Sequence, residues 1–141
     1  MNRPYLVSKI LLIDGVLLIV IAFVLLFATP LIREWMARDL TPQSLSKISP
    51  PVYLNHIAAG ILLIPFGVST LYSAIGVRSG QTFARVIALL NAVMVMILPL
   101  IVAVLMGRQY FTEPIFLVAT VSICVVGVSM VIPLIWLTKQ P

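Results

Sequence analysis

Four long stretches of this chain carry almost no polar residue, and shorter segments rich in charge, proline and glycine separate them. The stretches run from about Leu6 to Phe27, Val52 to Ala74, Phe83 to Leu105 and Ile115 to Leu137. Each is long enough for the roughly 20 apolar residues that a helix needs to cross a hydrocarbon core about 30 Å thick. The apolar positions do not alternate with polar ones, as the strands of a membrane barrel would require. Backbone groups in lipid have to bond internally, so such runs predict α-helices. The expected fold is all-α, a polytopic four-transmembrane-helix bundle in a single domain, residues 1–141.

The pattern changes between Ala28 and Pro51, the longest connection. Leu31, Ile32, Trp35, Met36 and Leu40 fall on one helical face, while Arg33, Glu34, Arg38 and Asp39 lie away from it. This predicts a short amphipathic helix lying in the outer interface with Trp35 at headgroup level. The same face would also suit packing on a partner subunit or on the mouth of the bundle. Thr41-Pro42 reads as an N-cap followed by proline at the first helical position. It starts one or two turns that Ser49-Pro50-Pro51 is expected to end. Between the second and third spans, Gly76 and Gly80 flank Arg78 in a turn short enough to make those spans antiparallel neighbours.

Composition narrows the class. Of 141 residues, 62% are hydrophobic and 9% charged, against about 45–50% and about 25% in soluble domains. The first span exceeds the roughly 7–15 apolar residues of a signal peptide and carries Asp14, so it is expected to be a retained helix. The net charge of +5 is distributed as a topology signal, not as a footprint for nucleic acid. Arg3, Lys9, Arg78, Arg85 and Lys139 fall at one end of the spans. Arg33, Arg38, Lys47 and Arg108 fall at the other. The positive-inside rule then favours both termini in the cytoplasm of a bacterial or archaeal cell membrane.

Polar residues within the spans carry the candidate chemistry. At 1.5 Å per residue, Asp14, Asn91 and Ser129 each lie about 12 Å from the basic end. They are expected to form one buried polar layer, in which Asp14 accepts a bond from the Asn91 amide or the Ser129 hydroxyl. Such a layer serves either as interhelical glue or as an anchor for a proton, an ion or a ligand. His56 lies near the depth of Thr120 and Ser122 toward the outer side, and its sequence surroundings supply no set of metal ligands. Cys124 reads as a small packing residue.

Ala84, Ala88 and Ala92 form a small-residue line on span three, matched by Gly60 and Gly67 on span two and by Gly127 on span four. Such seams serve packing within the bundle or an interface with another subunit. Pro65, Pro99 and Pro133 are expected to bend their helices, and Pro65 with Gly67 is the most plausible hinge. No metal-protease, phosphate-loop, paired-cysteine or paired-carboxylate motif is present. No cofactor is expected. The leading expectation is a non-enzymatic accessory or scaffold subunit, in contact with membrane lipids and with other membrane subunits or copies of itself. The alternatives are a small transporter or binder of a lipid, quinone or other apolar ligand around Asp14, and a membrane enzyme using His56.

Overall fold

The computed structural model describes residues 3–39, 41–110 and 114–138, with the side chains of 31, 33, 35, 39, 105–110, 115, 116 and 138 excepted. Four helices account for nearly all of it: α1 (Arg3–Asp39), α2 (Pro42–Arg78), α3 (Thr82–Tyr110) and α4 (Pro114–Thr138). Each contains a stretch long and apolar enough to cross a membrane. The protein is an all-α four-helix membrane bundle. Neighbours in sequence are neighbours in space, α1 on α2, α2 on α3, α3 on α4, and α4 closes back onto α1.

Buried positions on α1 fall at Val7, Leu11, Asp14, Leu18, Ala22 and Leu25, a seam with the three- and four-residue spacing of packed helices. Matching seams on α3 (Ala84, Ala88, Asn91, Ala92, Val95) and α4 (Ile123, Val126, Met130, Leu134, Leu137), with Leu63, Ala74 and Val77 of α2, complete the core. The opposite faces are equally apolar but exposed, with Phe27, Tyr72, Phe83 and Val104 each more than 70% accessible. Lipid is the environment that makes such a surface stable. Cys124 lies on this outer surface, so it is not the packing residue expected of it.

Glycine sets the distance between α1 and α2. A Cβ on Gly67 would stand 2.8 Å from the carbonyl oxygen of Gly15, and one on Gly60 would stand 2.7 Å from Leu26 Cγ. The small-residue seam of α2 therefore packs against α1 within the bundle. On α4, Gly127 receives Met96 of α3 in the same way. Near the α2–α3 turn, Gly76 faces Ala84. The turn itself closes α2 with paired bonds from Gly80 N to Val77 O (3.1 Å) and Gln81 N to Gly76 O (2.9 Å). This is a Schellman cap, and Gly80 takes the φ of 76° that it requires.

The first connection departs from the sequence expectation. No separate interfacial helix forms: α1 runs through Pro30 to Asp39, and α2 begins at Pro42 and runs through Pro50 and Pro51. Ile32 and Met36 face neither lipid nor headgroups. They are buried against Val52, with Leu45 and Tyr53 alongside. Leu31 and Trp35 have side chains outside the described set, and Leu40 lies outside the described residues. The helix survives the two prolines because packing across the hairpin offsets the lost bonds, and the freed carbonyls belong to Ser46 and Lys47, on the exposed surface. Thr41 caps α2 as the sequence suggests, its hydroxyl accepting from Ser44 N at 3.3 Å. Pro65, Pro99 and Pro133 likewise lie inside continuous helices.

At 37 residues each, α1 and α2 are about 55 Å long. A bilayer with its headgroups is about 40–45 Å thick. The hairpin therefore rises clear of the membrane at the end opposite the termini.

Candidate functional site

Asp14 belongs to the buried seam of α1, so its carboxyl enters the bundle and not the lipid. Its Oδ1 accepts a bond from the Ser129 hydroxyl of α4 at 2.6 Å. Ser129 also lies 3.0 Å from the Val126 carbonyl of its own helix. Hydroxyls in apolar helices commonly bond back in this way. The other carboxyl oxygen, Oδ2, is buried with no hydrogen-bond partner. An unsatisfied oxygen on an ionisable group within a span is costly, and it is the strongest polar anomaly of the core.

Asn91 shares this layer but does not bond Asp14. Its Nδ2 donates to Ser69 Oγ at 2.9 Å and to Thr70 Oγ1 at 3.3 Å, both on α2. The physical reason is the order of helices around the bundle. α3 packs between α2 and α4, while α1 lies across from it, so a shared depth does not bring Asn91 and Asp14 together. The single expected layer is thus two pairs, α1 to α4 and α2 to α3.

Ser69 and Thr70 went unnoticed in the sequence, as did Ser73, which is also buried. A serine or threonine in an apolar helix can satisfy itself on the preceding turn, as Thr70 does on the Phe66 carbonyl at 2.7 Å. It therefore gives no sign that it also accepts from a neighbouring helix. The one available signal was their grouping at positions 69, 70 and 73, on one face of α2.

At the other end, His56 is buried, with Nδ1 2.8 Å from the Val52 carbonyl. A carbonyl only accepts, so Nδ1 carries the proton of this bond. Ser122 bonds its own helix at Val118 O, and Thr120 is half-buried. Among the described residues no group of three or more His, Cys, Asp or Glu side chains stands together as a metal site.

Among the described residues, two further buried polar atoms lack partners, Tyr53 Oη in the projecting hairpin and Arg85 Nε near the start of α3. Arg85 belongs to a basic, aromatic end of the bundle. The Arg3 guanidinium lies 4.5 Å from the Trp136 ring centroid, and Lys9 and Arg78 approach the Tyr5 ring at 4.7 and 5.2 Å. Such cation–ring contacts suit the level of lipid headgroups.

Among the described residues, clefts open between helices on the outside of the bundle, and three of them bear on the site. One of about 470 Å³ lies between Pro51, Asn55, Leu62 and Leu98. A second, about 490 Å³, runs along Pro65, Ser69, Tyr72 and Ala84. The third, about 300 Å³, lies between α3 and α4 beside Arg85. Asp14 lines none of them. Comparison with protein-family models, curated proteins and solved structures finds no significant match.

Proposed function

We propose that this integral membrane protein is a non-enzymatic accessory or scaffold subunit of a larger membrane assembly, with both termini in the cytoplasm. The observation that carries this reading is the α1–α2 hairpin. It stands about 10–15 Å beyond the headgroups, holds its own small apolar core at Ile32, Met36 and Val52, and presents Glu34, Arg38 and Lys47 to water. A rigid charged projection on a bundle with closely packed helices suits holding a neighbour better than moving a solute. The test is purification of the tagged chain from native membranes in mild detergent, with and without crosslinking. Stoichiometric co-elution of a second membrane protein, lost when Glu34 and Arg38 are both replaced by Ala, is the expected result. A monodisperse protein that never brings a partner would overturn it.

The unpartnered Oδ2 of Asp14 favours a second reading, in which that carboxyl carries a proton or cation or anchors a polar head of an apolar ligand. Asp14→Asn keeps the shape and removes ionisation. If it abolished ion-coupled uptake in proteoliposomes while assembly stayed intact, the transport reading would replace the scaffold one.

A further inference from the structure

The cleft between α3 and α4 at the basic end has a composition unlike the other two. Thr82 and Arg85, at the start of α3, line it together with Val86, Leu89, Leu134 and Leu137. Leu89 lies one helical turn, about 6 Å, farther along α3 than Arg85. Along α3 the lining therefore passes from polar at the helix start to apolar one turn deeper, the profile of an amphiphile. Arg85 Nε is buried with no hydrogen-bond partner, and among the described residues no carboxylate pairs with the guanidinium. Of the acidic side chains described, Glu34 belongs to the opposite end, and Asp14 is engaged with Ser129 between α1 and α4. A buried arginine donor needs an anion, and its planar guanidinium suits phosphate oxygens.

We infer that this cleft binds one anionic phospholipid from the leaflet at the basic end. The Arg85 guanidinium and the Thr82 hydroxyl hold the phosphate, and an acyl chain lies along Leu89 and Leu134. Basic pockets between membrane helices are the usual form of such recognition. Charge complementarity selects an anionic headgroup over a zwitterionic one. Arg3, Lys9 and Arg78 raise the local concentration of anionic lipid but lie outside the cleft lining.

The test is native mass spectrometry of the full chain released from nanodiscs of equal phosphatidylglycerol and phosphatidylcholine, counting retained lipids. The expected result is one tightly retained phosphatidylglycerol. Arg85→Gln lowers that retention about tenfold or more, the loss of a charge-assisted hydrogen bond to the phosphate. Arg78→Gln, which removes the same charge outside the cleft, lowers it by no more than about fivefold, the effect of one basic residue near a membrane surface. Leu89→Trp fills the cleft from a lipid-exposed position without touching charge, and it lowers retention as much as Arg85→Gln. It also carries the test if the arginine variant does not fold. Equal retention of both lipids, equal losses for Arg78→Gln and Arg85→Gln, or no effect of Leu89→Trp would each overturn the site. Displacement of the lipid by millimolar inorganic phosphate would show a free-phosphate site and overturn the lipid assignment.

Discussion

Asp14 uses one carboxyl oxygen to bind Ser129 and leaves the other buried without a partner. The bond joins helices at opposite ends of the sequence, so it is a closure contact of the bundle. Bonds of this kind between membrane helices contribute about 0.6–1.7 kcal/mol. A double-mutant cycle of Asp14→Ala and Ser129→Ala, read by unfolding in SDS, is expected to return a coupling in that range; zero coupling would make the contact incidental. The glycines give a second residue-scale outcome. Gly67→Ala puts a Cβ 2.6 Å from Ile19 Cγ1 as well as against the Gly15 backbone, which forces the helices apart at a cost of about 1–3 kcal/mol. Gly80 has no neighbour within 4 Å of such a Cβ, yet Gly80→Ala is expected to cost about 1 kcal/mol because φ is positive there. The same SDS titration separates the two, since only the first change also loosens the α1–α2 seam in hydrogen exchange.

The α1–α2 hairpin is where local propensity and tertiary packing oppose one another. Pro30, Pro50 and Pro51 argue for breaks, and the apolar face of residues 31–40 argues for a helix lying on lipid. Packing decides otherwise, because Ile32 and Met36 find Val52 and Leu45 across the hairpin. Burying such side chains contributes about 1.5–3 kcal/mol each, comparable with the cost of a proline inside a helix, about 3 kcal/mol. Ile32→Asp is therefore expected to open the projection while the spans stay folded. Limited trypsin digestion would show cleavage after Arg38 and Lys47 accelerated at least tenfold, with helical circular dichroism retained. Ile48→Asp, at a position already 44% exposed, should leave the cleavage rate unchanged.

Across the whole molecule, an even number of spans places the α2–α3 turn and both ends of the chain on one side and the hairpin tip on the other. With Cys124 replaced by alanine, a Lys47→Cys variant is expected to react with a membrane-impermeant maleimide on intact cells. Ser79→Cys should react only after permeabilisation, and the reverse pattern would invert the proposed orientation. Span number and helical class were legible in the amino-acid order, since a bilayer imposes length and apolarity that a linear sequence displays directly. The Thr41 cap was legible too, because capping is local. The inward faces were legible only where small residues mark them, Ala84, Ala88 and Ala92 on α3 and Gly60 and Gly67 on α2; elsewhere they were not, because lipid is as apolar as the core and the helices are apolar all round. Depth placed Asp14, Asn91 and Ser129 together, but it supplies only one coordinate. The order of helices around the bundle paired Asp14 with Ser129 and sent Asn91 to Ser69 and Thr70. Contacts between distant residues likewise turned an expected interfacial helix into a projecting hairpin, and they brought Arg85 beside the walls of α4. Sequence alone determined that the chain crosses a membrane four times; packing decided which side chains meet inside it, because hydropathy carries no information about angle around the bundle axis.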